Sequence, residues 1–169
     1  MTDNLADRLR SLLASDVYTE RGRLRSDDQL VRERVGRGLS AAAASLRALV
    51  SRWRAERVPP STREQPFPPA AVMEPIRQAE RLIRLIEDVA TAVRGLPVLG
   101  SDKVWDRVRR VGLADLIQFD WTMVGESDLL AEDLAAVAAL DELDVAAFEV
   151  RVRKVRQIIE DRQRFIEIA

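Results

Sequence analysis

The sequence predicts an all-α fold, an antiparallel helical bundle of three long helices with three or four short ones. Two observations carry this prediction. No segment shows strand-like alternation bounded by turns, and the stretch 76–96 has two adjacent apolar rows at helical spacing. The rows are Ile76, Ala79, Ile83, Ile86, Ala90 and Val93, and beside them Leu82, Leu85, Val89, Ala92 and Leu96.

The width of this apolar arc places the 76–96 helix near the middle of the core. At about 100° per residue the two rows span roughly half of the helix circumference. One neighbouring helix cannot cover so wide an arc, so we expect at least two. We therefore expect Leu82, Leu85 and Val89 to be hidden from water.

Residues 1–58 read as two helices. A short amphipathic helix carries Leu5, Leu9, Leu12 and Leu13 on one face. The next helix is predicted to begin at Ser26, a capping hydroxyl, because carboxylates at 27 and 28 then lie at the positive end of the helix dipole. It should end near Arg57, before two prolines. Its later half has a heptad-like spacing that suggests a coiled coil, with Leu39, Ala42, Leu46, Leu49 and Trp53 on the seam.

Two glycines lie in the first half of this second helix. Gly36 and Gly38 each cost about 1 kcal/mol relative to alanine inside a helix. They therefore either permit another helix to pack closely or mark a kink.

Residues 59–75 form a proline-rich connector. This segment holds six of the seven prolines, which remove backbone donors and disfavour helix in the residue before them. We interpret it as a stiff linker with Phe67 and Met73 held in the core, and Pro75 in the first turn of the 76–96 helix. A ligand for a proline-reading domain is the alternative.

The helical core, 76–169, completes a single domain spanning 1–169. Short helices are predicted over 101–112, 113–124 and 127–140, separated by glycines and capping residues. Asp144 can cap the last helix, which has Phe148, Val152, Val155, Ile159 and Ile166 on one face. Arg162 lies at the edge of that face, where it must reach out to water or meet a carboxylate.

Composition excludes several kinds of chemistry. The 169 residues include no cysteine and no histidine, so disulfides, thiolate metal sites and imidazole bases are unavailable. We expect no cofactor and no resident metal. No apolar run reaches the roughly 18 to 20 residues of a membrane span, and the first residues do not resemble a signal peptide. A cytoplasmic location without membrane contact is the resulting expectation.

A turn after the 76–96 helix resembles the helix-hairpin-helix module, a small element that binds DNA non-specifically. The matching residues are Leu96-Pro97-Val98-Leu99-Gly100 and, after a helix, Gly112-Leu113. The resemblance implies that backbone amides near Gly100, Ser101 and Lys103 hold a phosphate. The alternative is an ordinary proline–glycine turn.

The arginines of the second helix are further candidates for nucleic-acid binding. Residues 1–65 hold 13 basic and 9 acidic side chains, whereas 66–169 hold 14 and 19. Arg47 is the further candidate for nucleic-acid contact. At helical spacing, however, the arginines split between two sides of the apolar seam, a pattern typical of solvated flanks. On one side are Arg32, Arg47 and Arg54, and on the other Arg34, Arg37 and Arg52.

An acidic pair suggests a third function. Asp128 and Glu132 share a helix face, and all-α hydrolases hold Mg²⁺ with carboxylates of this kind. Ion pairs at i to i+4, such as Glu80 with Arg84, are the alternative explanation of the acidic residues.

The function favoured by the sequence is a non-enzymatic interaction or assembly module that forms homo-oligomers. Broad apolar faces suggest a protein partner or self-association, and Trp53, Arg52, Arg54 and Phe67 are the candidate contacts. A nucleic-acid-associated protein is the first alternative, and a Mg²⁺-dependent hydrolase is the second.

Overall fold

The computed structural model describes residues 21–96 and 112–168, and within them every regular element is helical. The predicted all-α class is confirmed. Helix α1 spans Arg21–Arg57, α2 Ala70–Arg94, α3 Leu113–Ala136 and α4 Val145–Ile168, with one 3₁₀ turn at Leu140–Glu142 before α4. No helix of this described part is long and apolar enough to cross a membrane.

The predicted number of helices is wrong for this part of the chain. The two short helices expected on either side of Gly125 are one helix, α3, of 24 residues. A single helical glycine costs only about 1 kcal/mol, and the buried residues Val124, Ser127 and Leu130 stay on packed faces if the helix continues. The short helix predicted over 2–15 lies outside the described residues, as does the one predicted over 101–112 except for its last residue.

Two predicted helix starts are also wrong. Helix α1 begins at Arg21, so Asp28 lies inside the helix, 5% exposed, and does not act at its positive end. Helix α2 begins at Ala70, so the connector is shorter than predicted and Pro75 lies inside the helix. In the extra turn of α2, Met73 packs against the core and the Val72 carbonyl accepts from Trp53, and such contacts outweigh the local preference for a terminal proline.

The predicted place of the 76–96 stretch is confirmed by burial. Leu82 is 0% exposed and Val89 is also buried, while Leu85 is partly buried against the core. Helix α2 packs against α1 and α4, and α3 packs against α1 and α4. The arc of α2 is thus covered by two helices of the same chain.

Contacts between helices give their directions. Arg54 of α1 meets Glu80 of α2 at 2.5 Å, and Arg47 pairs with Glu87 further back along α1, so these helices are antiparallel. Helices α3 and α4 are also antiparallel, with Glu126 meeting Lys154 at 2.6 Å and residue 133 pairing with residue 151.

Helices α1 and α3, in contrast, run in the same direction. Arg34 contacts Asp128 at 2.9 Å, and Arg52 donates to the Ala138 carbonyl at 3.0 Å. A bundle that is antiparallel throughout is therefore not confirmed, because α3 lies beside α1.

Gly38 allows α1 and α3 to approach closely. A Cβ built on Gly38 would lie 3.1 Å from Ser127 Oγ and 3.2 Å from the Ser127 carbonyl oxygen. Of the two roles predicted for the glycines, close packing is the one found at this position. Backbone atoms of Ser127 cannot rotate away as a long side chain could.

We expect Gly38→Ala to lower the free energy of unfolding by about 1–3 kcal/mol, the usual range for overpacking. Gly125→Ala is the matched control, because a Cβ at Gly125 meets nothing within 4 Å and should stabilise the helix by about 0.5–1 kcal/mol. Urea denaturation measures both. Equal effects of the two substitutions would contradict the close-packing role of Gly38.

Candidate functional site

Arg162 forms the centre of a buried charge cluster. Its side chain is 1% exposed. Nε donates to Asp120 Oδ1 at 2.6 Å and Nη2 donates to Asp28 Oδ1 at 2.7 Å. Of the two alternatives predicted for Arg162, a carboxylate partner is confirmed, and the arginine in fact has two.

Arg32 extends this cluster to the end of α2. Its guanidinium donates to the second oxygen of Asp28 and, at 2.6 Å, to the backbone carbonyl of Leu96. We call Asp28, Arg32, Asp120 and Arg162 the buried charge cluster. It joins α1, α3 and α4 to the segment that follows α2, and its two arginines match its two aspartates. Nη1 of Arg162 has no hydrogen-bond partner among the described residues.

Burial and charge act in opposite directions within the cluster. Burial raises the pKa of Asp120 above its ordinary value of 3.8, although the Arg162 charge partly opposes this rise. For Arg162, burial lowers the pKa, but attraction to Asp120 and Asp28 outweighs burial and raises the pKa above its ordinary value. Arg162 therefore stays charged, and the cost of burial falls on the Asp120 carboxylate.

The raised pKa of Asp120 predicts a specific pH dependence. The folded chain holds a proton on Asp120 more strongly than the unfolded chain, so this group contributes stability below pH 3.8 that is lost as the pH rises to its folded-state pKa. Asparagine has no such proton to lose. We expect the unfolding free energy of the wild type, minus that of Asp120→Asn, to fall with rising pH in urea titrations from about pH 3.5 to 7. A constant or rising difference would contradict the raised pKa.

Sequence reasoning missed both aspartates of the cluster. A usable signal was present, because Asp120 falls within the apolar stripe of α3 that includes Leu116, Met123 and Leu130. A charged residue within an apolar stripe needs a buried partner. The pattern does not say which arginine supplies it, since Arg162 is 42 positions further along the chain.

A second feature is the groove between α1 and α2, which we call the arginine groove. Three cavities of about 480, 340 and 380 Å³ follow one another along the two helices. The first and second share Arg94, and the second and third share Arg47. Five exposed arginines line the row: Arg37, Arg47, Arg54, Arg84 and Arg94.

Carboxylates neutralise only part of the arginine groove. Arg47 and Arg54 each pair with one glutamate of α2. Arg94 donates to Ser40 Oγ at 2.7 Å and has no carboxylate partner within the described residues, and the same is true of Arg37 and Arg84. The groove therefore carries a net positive charge facing solvent.

The residues predicted to contact a partner do not form one surface. Trp53 is partly buried, and its Nε1 donates to the Val72 carbonyl at 2.9 Å. Arg52 turns toward the Ala138 carbonyl next to α3, whereas Arg54 faces α2. Phe67 is 81% exposed in the connector, so its predicted place in the core is wrong, although Met73 does pack against the core.

Most of the residues predicted to bind nucleic acid cannot be placed. Gly100, Ser101 and Lys103 lie outside the described residues. Arg47 lines the arginine groove and pairs with Glu87. The resemblance to a helix-hairpin-helix module is thus untested.

The two carboxylates proposed to bind Mg²⁺ have different surroundings. Asp128 accepts from Arg34 at 2.9 Å, and Glu132 is exposed to solvent. Across residues 21–96 and 112–168, no group of three or more carboxylates is close enough to hold a metal ion. Glu80, expected to pair with Arg84, instead contacts Arg54 of α1.

Comparison with known proteins identifies no relative. No family model, curated protein or solved structure matches the chain. The class that can be stated is therefore that of the fold, an all-α helical protein, and its function has to be argued from the surface.

Proposed function

We propose that this protein is a non-enzymatic interaction module whose arginine groove binds an acidic segment of a partner protein. The observation that carries the proposal is the row of five arginines along three adjoining cavities. Guanidinium groups form paired hydrogen bonds with carboxylates, and a concave surface excludes water from such contacts better than a convex one.

The length of the groove defines the size of the segment. Arg37 and Arg54 are 17 positions apart on α1, which corresponds to about 25 Å at 1.5 Å per residue. An extended peptide rises about 3.3 Å per residue, so seven or eight residues would fill the groove. Carboxylates at several positions of such a segment would each meet an arginine.

Two features support this proposal, the first against the nucleic-acid alternative and the second against the enzyme alternative. Glu80 and Glu87 lie among the arginines of the groove, where they would repel a continuous row of phosphates. A folded partner can position its carboxylates between these glutamates. The chain also lacks histidine and cysteine, the side chains used by the commonest acid–base and nucleophilic catalysts.

Self-association is one form of the same proposal. Of the six carboxylates of helix α3, Asp120 is buried and three pair with basic residues of α1 or α4. Asp115 and Glu132 are exposed without an ion pair among the described residues, so these are the carboxylates that a second copy could supply. Light scattering well above micromolar concentration tests this form. A particle with the mass of one chain would exclude the homo-oligomer and leave an unrelated partner protein as the occupant.

The test of the groove uses a fluorescent eight-residue peptide of alternating Glu and Ser, followed by anisotropy at low salt. We expect binding that weakens as salt rises, and Arg84→Glu should reduce affinity about five- to tenfold, because one attraction is replaced by one repulsion. Arg84 has no ion-pair partner in the described residues, so its reversal should leave the fold intact.

Arg153→Glu on α4 is the matched control, with the same change in net charge away from the groove. Equal losses in the two variants would show a non-specific charge effect and contradict the proposal. Absence of peptide binding to the wild type would also contradict it. A single-stranded DNA that binds more tightly than the peptide would favour the nucleic-acid alternative.

A further inference from the structure

We infer that one end of the arginine groove, formed by Gly36, Arg37 and Arg94, is a pocket for a phosphate group on a side chain of the partner. This inference rests on the proposed function and deepens it, because it assigns the chemistry of one residue in the bound segment. The pocket is the cavity of about 480 Å³ at the α2 C-terminus.

Gly36 gives Arg94 its position. A Cβ built on Gly36 would lie 3.3 Å from Arg94 Nε, so the guanidinium lies directly across the bare backbone of α1. Ser40 Oγ accepts from Nη2 at 2.7 Å, and the Gly36 carbonyl lies at 3.5 Å from the same nitrogen. Arg94 is thereby held in place before a ligand arrives, and its Nε and Nη1 make no hydrogen bond to other described residues. A held arginine loses less side-chain entropy on binding.

Arg37 provides the second guanidinium of the pocket. It is exposed and forms no ion pair within the described residues. Glu33 is the one carboxylate among the described residues lining this cavity, and its Oε1 accepts from Gln29. Arg32 also lines the cavity, and its guanidinium forms an ion pair with the buried carboxylate of Asp28. Positive charge therefore exceeds negative charge around the pocket.

A phosphate group fits this arrangement better than a single carboxylate does. It carries about −1.5 to −2 charges at neutral pH and three acceptor oxygens, enough for paired hydrogen bonds to two guanidinium groups at once. The cavity exceeds the size of the group and leaves space for the side chain that bears it. Its lining includes no aromatic ring among the described residues, so it offers no stacking surface for a nucleobase.

The test compares three versions of the eight-residue acidic peptide, with serine, phosphoserine or glutamate at one terminal position. We expect phosphoserine to bind the wild type about tenfold more tightly than serine, since the phosphate makes charged hydrogen bonds to the guanidinium groups that a hydroxyl cannot make. Arg37→Gln and Arg94→Gln should each remove most of that advantage. Arg153→Gln is the control and should retain it, and circular dichroism verifies the fold of each variant.

The pH gives an independent readout. The second phosphate pKa is about 6, so the advantage of phosphoserine should decrease between about pH 7 and 5, whereas carboxylates remain ionised. Equal binding of phosphoserine and serine, or of phosphoserine and glutamate, would overturn the phosphate assignment. If the serine peptide still binds and remains sensitive to Arg84→Glu, the proposed function stands while this inference fails. A phosphoserine advantage that persists in both Arg37→Gln and Arg94→Gln would place the phosphate elsewhere and overturn the pocket.

Discussion

Arg162→Met is expected to lower the free energy of unfolding by about 3–5 kcal/mol, the cost of breaking a buried ion pair from one side. Methionine approximates the length of the side chain but leaves Asp28 and Asp120 buried without the guanidinium that both contact. Urea denaturation measures the loss. Arg156→Met is the matched control on the same helix, since Arg156 is exposed and makes an i to i+4 pair with Glu160, which contributes about 0.5 kcal/mol.

The direction of the pH effect distinguishes this mechanism from simple loss of packing. Without Arg162, the carboxyl of Asp120 is buried beside less positive charge, so its protonation in the folded chain becomes more favourable. Stability of Arg162→Met should therefore increase as the pH is lowered from about 7 toward 5, relative to the wild type. A loss below about 1 kcal/mol, or one independent of pH, would contradict the role of the buried charge cluster.

Leu82→Ala is expected to destabilise the fold by about 2–5 kcal/mol, because it removes a fully buried leucine and leaves a cavity among close-packed neighbours. Leu85→Ala is the control, in the same helix and with the same change in composition, but at a partly exposed position. The loss of unfolding free energy for Leu85→Ala should be clearly smaller, since Leu85 buries less apolar surface on folding than Leu82 does. A loss at Leu82 as small as that expected for an exposed leucine would contradict the central burial of α2.

Periodic apolar spacing accounts for much of what could be predicted. Burial of Leu82 and Val89 follows from a pattern within one helix, because the helix geometry alone brings their side chains to one face. The seam of α1 is buried for the same reason, with Leu39 and Leu46 completely enclosed by the chain's own core. That enclosure means the seam needs no second chain to cover it.

Helix boundaries were less predictable because local signals are weak. A capping residue contributes about 1 kcal/mol, as does the penalty of a helical glycine. Contacts with other helices exceed such terms, so α3 continues through Gly125, with buried residues on both sides of it. Helix α1 likewise does not start at Ser26, because it includes residues 21–26. The outward position of Phe67 likewise depends on the course of the connector, which composition does not specify.

Of the two candidate sites, sequence reasoning found single residues but not their arrangement. Arg162 was recognisable as a charge beside an apolar face, yet Asp28 was interpreted as a helix start and Asp120 was missed. The arginine groove combines residues of α1 and α2, and only their antiparallel packing brings Arg94 next to Gly36. The two sides that helical spacing assigned to the arginines of α1 are partly confirmed. Arg34 and Arg52 contact α3 or the turn after it, and Arg47 faces α2. Arg37, predicted on the side of Arg34, instead lines the groove with α2.

The amino-acid sequence by itself determined that this protein is all-α, that residues 82 and 89 are buried, and that Arg162 requires a partner, since each depends on spacing within one helix. Tertiary structure alone decided that α3 lies beside α1, that four charges from three helices meet in the interior, and that arginines of α1 and α2 line one groove. The physical reason is that these contacts join residues far apart in the chain, and their geometry depends on how whole helices pack.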